Sequence, residues 1–99
     1  KSEGQIDWKY DSKIIIGKIN GLYPTPGAYF MFNGERYKIL KAEISNVRGE
    51  IGVVLNDNFE IGCINKSIKI ISIQREGKKI QNINEFVLGT KIKKGTCII

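Results

Sequence analysis

The sequence predicts a mainly β domain of the α+β kind: a small open Greek-key antiparallel barrel with one N-terminal helix and one short C-terminal helix. Three observations lead there. Five short apolar stretches of strand type follow one another between residues 28 and 74. Glycine, asparagine and aspartate separate them at intervals of about 8–12 residues, as in all-β barrels and sandwiches. At 99 residues the chain is one domain of modest size, and a short sheet hides its edges best by curling on itself.

The elements follow in order. Ile6-Asp7-Trp8 reads as an extended lead-in. Asp11 and Ser12 are good helix N-caps. Ile14, Ile15, Ile16, Ile19 and Leu22 then recur near a 3.6-residue period, and Gly21 offers a stop. This predicts a helix over 11–20. A strand over 13–19 is the competing reading, because Gly17 and three consecutive isoleucines weaken a helix. Tyr23-Pro24-Thr25-Pro26-Gly27 cannot continue it: each proline fixes φ and pushes the preceding residue toward extended geometry.

Residues 28–33 form an aromatic strand. Asn33-Gly34 is the strongest short hairpin signal. Residues 35–46 make a long second strand. Tyr37 and Ile39 lie on one face, while Leu40, Ala42 and Ile44 lie on the other, which predicts a bulge between Ile39 and Leu40. A third strand is expected over Gly52–Leu55, a fourth over Phe59–Ile64 and a fifth over Ser67–Gln74. Arg75–Lys79 is a polar loop. Asn82 caps a short helix over Ile83–Leu88 that Gly89 ends. The tail is basic at Lys91, Lys93 and Lys94 and apolar at its end. The five-stranded barrel that binds oligonucleotides, the OB-fold, is the architecture this most resembles.

Charge and composition narrow the chemistry. The chain has no histidine. That removes the commonest general base, the Ser-His-Asp and Cys-His systems and His-ligated zinc. Net charge is +6, and all of the surplus lies in residues 61–99, where eight Lys/Arg face two acids; residues 1–60 balance at eight of each. This asymmetry points to an anionic partner, nucleic acid first and a membrane surface second. Plain solubility in a lysine-rich proteome is the other reading. Cys63 and Cys97 fit no metal-ligand spacing and are too few for a secreted disulfide scaffold, so a reducing cytoplasm is expected. The Asn65-Lys66-Ser67 sequon is then a chance match. No apolar run reaches the roughly 18 residues of a membrane span. The first residue is Lys1 rather than Met, which suggests processing or origin in a longer protein.

Few residues offer enzymatic chemistry. Asp7 and Asp11 read as solvated and capping groups. Glu43 and Lys41 share a strand face and read as a surface ion pair. There is no phosphate loop with a Walker lysine. The candidate nucleic-acid-binding residues are cations: Arg75, Lys78 and Lys79 in the polar loop, Lys91, Lys93 and Lys94 in the tail, and Lys38 and Lys41 on the long strand. Lysines contact phosphates as mobile point charges; solvated loop residues are the competing reading. Tyr29, Phe30 and Phe32 could stack on bases, with barrel core as the commoner use of such side chains.

Six segments in order carry a resemblance: I-D-W at 6–8, K-I-N-G-L-Y-P-T-P-G-A-Y at 18–29, N-G-E-R-Y-K-I-L-K-A-E at 33–43, G-V-V-L at 52–55, I-Q-R-E-G-K-K at 73–79 and N-E-F-V-L-G at 84–89. Together they resemble the C-terminal domain of bacterial methionyl-tRNA formyltransferases, over residues 6–95. The chain departs from that pattern near Lys18, where the family has Arg, at Thr25, where it has Trp, and at Arg75, where it has Pro. Arg75 adds a charge beside the lysine pair.

The resemblance implies residues 1–10 as a lead-in from an upstream catalytic domain, and residues 11–99 as the barrel domain. It implies a tRNA-holding role for the barrel, with initiator methionyl-tRNA and the enzyme's own N-terminal catalytic domain as partners. The family's enzyme formylates the methionine amino group using 10-formyltetrahydrofolate as co-substrate. Its catalytic residues belong to the upstream domain, so no cofactor and no catalytic residue is expected in this piece. A monomer in the cytoplasm, away from membranes, completes the expectation. The alternative is the scaffold barrel of a related formyltransferase, or of a formyltetrahydrofolate hydrolase or dehydrogenase, acting on a smaller substrate. A standalone interaction barrel is a third reading.

Overall fold

Asp11 begins the first helix by folding its side chain back on the backbone. Its carboxylate accepts from the Lys13 N–H at 2.8 Å. In the computed structural model, which describes residues 4–98, helix α1 runs Ser12–Leu22. The helix reading over 11–20 therefore holds against the strand alternative. Ile15 and Ile19 are buried and Ile14 is exposed, so one stripe of the isoleucine run faces the core. The helix passes through Gly21 and ends where Tyr23 turns extended ahead of Pro24. The proline, not the glycine, is the stop.

Five strands form one antiparallel sheet: β1 (Ala28–Phe32), β2 (Glu35–Ser45), β3 (Glu60–Gly62), β4 (Ser67–Arg75) and β5 (Ile80–Asn82). The path is β1-β2-β4-β3, with β5 also on β4. One edge of β4 pairs along β2; the other pairs with β3 near Ser67–Lys69 and with β5 near Ser72–Gln74. The result is a curled, open antiparallel half-barrel with α1 and α2 (Ile83–Gly89) packed on it, the small mainly β barrel that the sequence predicts.

The hairpin signal is realised in full. Phe32 pairs with Glu35, and Asn33 and Gly34 both have positive φ, at 51° and 78°, as a type I′ turn requires. The face switch in β2 is also real: the β2–β4 register shifts between Ile39 and Lys41 and again before Ala42. This bulge lets Ile39 and Ile73 seal one part of the core while Ile68 and Ile70 seal the next.

Three expectations need correction. Gly52–Leu55 is not a regular strand. Its backbone bonds divide between β3 and the tail: Gly62 N–H donates to the Val53 carbonyl at 3.1 Å, while Val54 N–H donates to the Thr96 carbonyl at 2.9 Å. The positive φ of Gly52 (76°) bends the chain between those partners. The fourth strand is three residues, not six, because Phe59 (φ 59°) and Asn65 (φ 76°) take left-handed backbone beyond its two ends. Finally, β5 was unassigned in the sequence, and α2 starts directly from it.

An aromatic series runs through the core. Trp8 meets Phe30 at 6.4 Å, Phe30 stacks on Tyr37 at 5.2 Å, Tyr37 meets Phe86 edge-on at 5.8 Å, and Phe86 meets Phe59 edge-on at 5.4 Å. Edge-on and offset contacts of this kind add to simple burial. The series ties the lead-in, β1, β2, the 55–60 loop and α2 into one core.

Candidate nucleic-acid interface

The β4–β5 connection is a tight turn. Lys78 N–H donates to the Arg75 carbonyl at 2.9 Å, and Gly77 takes φ 80°, a value that favours glycine. The Gln74 side-chain amide donates to the Lys78 carbonyl at 3.0 Å, and Glu76 N–H to the Arg36 carbonyl at 2.9 Å. The turn is thus pinned at both ends while its lysine side chains stand exposed.

This turn forms one wall of a groove of about 650 Å³. The tip of the β1–β2 hairpin gives Phe32, Asn33 and Glu35; the turn gives Arg75, Lys78 and Lys79; β5 gives Ile80 and Gln81. Helix α2 gives Glu85 and Phe86, and the tail gives Thr90 and Lys91. Phe86 and Ile92, both buried, form an apolar floor. Asn82 positions α2 by accepting from Glu85 N–H at 3.0 Å.

Four of the eight candidate cations meet here: Arg75, Lys78, Lys79 and Lys91. The other four do not line the groove. Lys38 lies on the opposite face of β2 from Tyr37, its methylenes laid over Gly27: a Cβ there would come within 2.7 Å of Lys38 Cδ. Lys41 sits at the bulge, across from Ser72. Lys93 caps a turn of the tail with Thr96 (Lys93 N–H to Thr96 Oγ1, 3.1 Å) and reaches the Val87 carbonyl at 3.5 Å. Lys94 is exposed in the same turn.

Arg75 is the most constrained of the four. Its Nη2 lies 2.6 Å from Glu35 Oε2, and Tyr37 donates its hydroxyl to Glu35 Oε1 at 3.0 Å. The Arg75 hydrogen bond, helped by that of Tyr37, holds the Glu35 carboxyl below its ordinary value. The same pair holds Arg75 charged more firmly still. Burial, then the bond to Glu35, pushes Tyr37 up. The carboxylates were missed in the sequence: Glu35 and Glu85 place two negative charges among the four cations. No spacing rule could have found Glu35, because the β2–β4 register alone brings it to Arg75, forty positions away.

Other readings are settled by position. Phe30 is core at 1% exposure, and Tyr29 is also buried, with the Arg36 guanidinium 4.2 Å above its ring; of the three candidate stacking rings, Phe32 lines the groove. Lys41 and Glu43 form no ion pair; Glu43 instead stands across from Lys69 in register. Among the described residues Arg75–Glu35 is the ion pair that forms, and no cluster of three metal-ligating side chains occurs. Both cysteines are free; burial pushes the Cys63 thiol up to about 11. No helix is long and apolar enough to cross a membrane.

Comparison with known proteins gives this architecture a family. The family model described as formyl transferase, C-terminal domain, matches residues 1–91. Over 99 residues the chain is 66% identical to a methionyl-tRNA formyltransferase of Pelagibacter ubique, covering 99% of the chain and 32% of that protein. It is 41% identical over 100 residues to the Rickettsia canadensis protein of the same name, covering 99% of the chain and 33% of the relative. The chain thus spans about a third of the length of the curated relatives it matches. Among solved structures, HypX of Aquifex aeolicus in complex with tetrahydrofolic acid superimposes with a TM-score of 0.72 over 91% of the chain and 18% of that protein, at 21% identity, which is a likeness of fold. The chain belongs to the formyl transferase C-terminal domain family.

Proposed function

We propose that the chain is the tRNA-holding C-terminal domain of a methionyl-tRNA formyltransferase. In this reading residues 1–10 lead in from an upstream catalytic domain, which formylates the methionine of initiator methionyl-tRNA with 10-formyltetrahydrofolate in the cytoplasm. Residues 11–99 are the barrel, working within a monomeric enzyme. The observation that carries the reading is the convergence of Lys78, Lys79 and Lys91 on one groove, in a chain whose relatives bear that enzyme's name.

The groove suits a phosphate backbone. Mobile ammonium groups line it, its floor is apolar, and Gln81, Asn33 and Thr90 add neutral polar groups at its sides. Contacts of this kind give affinity and register without reading bases. Choice of the initiator tRNA then falls to the rest of the enzyme. The groove does not suit a pterin: it is open, and its polar groups are long cations, the Glu35 and Glu85 carboxylates and exposed or half-buried amides rather than a buried set of donors and acceptors. No step of the folate chemistry is assigned to these residues.

The test is a tRNA titration at low and rising salt. Binding that weakens with salt, at a log–log slope of about −2 to −4 for a few neutralised phosphates, supports the reading. Absence of binding at low salt refutes a holding role for the barrel. The scaffold alternative, with a smaller substrate, predicts that second result.

A further inference from the structure

The basic groove holds more than cations. Phe32 lines it from the tip of the β1–β2 hairpin. Strand alternation puts Phe32 on the same face as Phe30, one step beyond the stacked Phe30–Tyr37 pair. Its ring joins no ring pair among the described residues. Its direct cross-strand neighbour is Glu35, a carboxylate rather than the apolar partner that steadies an aromatic in a sheet. The side chain is half-buried: it packs on the core cluster and also lines the groove. The hairpin tip thus carries an aromatic surface that the fold leaves partly uncovered.

A phosphate backbone alone leaves such groups idle. In a duplex the base faces are covered by their neighbours, and only phosphates, sugars and groove edges reach a protein. A groove of about 650 Å³ is of the size that encloses small organic groups, and a duplex would leave its floor of Phe86 and Ile92 untouched. Glu85 argues the same way. It lines the groove, is exposed and makes no ion pair among the described residues. A carboxylate repels a phosphate, but it accepts from the amino or imino hydrogens on the pairing edge of a base. The side-chain amides of Asn33 and Gln81 both donate and accept. An unpaired nucleotide uses all of these at once: its base meets the aromatic and the polar groups, and its phosphates meet the lysines.

We propose that the groove takes an unpaired stretch of RNA, with a base stacked on Phe32 and the flanking phosphates on Lys78, Lys79 and Lys91. The proposal rests on the tRNA-holding reading of this groove and names the part of the RNA that is held: a loop or a chain end, where bases are free to splay out. Stacking is tolerant of sequence, since every base has a π-face, so it holds the RNA without selecting it.

The experiment measures binding of the 99-residue chain at low salt to an unstructured RNA strand of about ten nucleotides, to the same strand annealed to its complement, and to tRNA. The single strand should bind more tightly than the duplex, although the duplex is the more densely charged. Phe32→Leu keeps apolar bulk against the core and loses the stacking face. It should weaken single-strand binding about five- to tenfold and leave duplex binding unchanged. Phe32→Tyr, which restores a ring, should bind as the parent does. A duplex bound as tightly as the single strand overturns the inference. So does a folded Phe32→Leu protein with full single-strand affinity, or one that loses both forms equally. In each of these cases tRNA binding that weakens with salt leaves the holding role standing. Absence of binding to all three RNAs refutes the holding role itself, and the inference with it. Thermal unfolding checks the fold of each variant. If Phe32→Leu does not fold, the comparison of single strand with duplex on the parent decides alone.

Discussion

Arg75 Nη2 lies 2.6 Å from Glu35 Oε2, so the groove's one guanidinium is already engaged by a carboxylate of the same molecule. Pairing of Tyr37 with Arg75 across β2 and β4 fixes the contact, and the Tyr37 hydroxyl steadies the other carboxylate oxygen. Glu35 occupies Arg75 much as a phosphate oxygen would. In the proposed reading the cations left for an incoming phosphate are therefore Lys78, Lys79 and Lys91, and Glu35 acts as a brake on the site.

Removing that brake should tighten binding. Glu35→Gln deletes a negative charge from the groove and releases Arg75. Screened by water, one such charge is worth about a three- to tenfold change in tRNA affinity. Filter binding at low salt checks this. Weaker binding by the variant would mean that Glu35 positions Arg75 for the ligand instead of withholding it.

The same pair should make stability depend on pH in one direction. The Glu35 carboxyl is held below its ordinary value of 4.5. Its contribution is complete above that value and disappears as pH falls through the lowered one. Wild type and Glu35→Gln should therefore differ in denaturant midpoint at neutral pH and converge in acid, once pH falls through the lowered value. A gap that stays constant into acid contradicts the assignment. The pair is solvent-exposed, so the gap is small.

Two glycines with equally open surroundings should respond oppositely to alanine. Gly17 lies in the middle of α1 and Gly77 in the β4–β5 turn, and a Cβ at either meets nothing within 4 Å. Gly17 has helical backbone, so Gly17→Ala should stabilise by about 0.5–1 kcal/mol. Gly77 has φ 80°, so Gly77→Ala should cost about 1–2 kcal/mol and disturb Lys78 and Lys79. Thermal unfolding of the two variants checks the signs.

What the sequence made legible was local. Asn33-Gly34 specified its turn, the switch from Ile39 to Leu40 announced a bulge, and Asn82 announced a cap, because each effect acts within a few residues. The misses were tertiary. Gly52–Leu55 looks like a strand by composition, yet it divides its backbone bonds between β3 and a tail more than forty residues on. The candidate site was half legible. Charge clustering picked out Arg75, Lys78, Lys79 and Lys91. It also included Lys38, Lys41, Lys93 and Lys94, because charge counting carries no information on which face a side chain takes. Glu35 was invisible for the same reason, since it reaches the groove only through strand register.

In the proposed function the groove, and not the basic surface at large, holds the phosphates. The most direct test is the salt dependence of tRNA binding for two variants side by side. Replacing Lys78, Lys79 and Lys91 with alanine should weaken binding and make the log–log salt slope shallower by about 2–3. Replacing Lys38 and Lys41 should leave the affinity within about twofold and the slope unchanged. A triple variant that binds with the parent's slope, or a Lys38/Lys41 variant that loses it, would place the phosphates elsewhere on the surface.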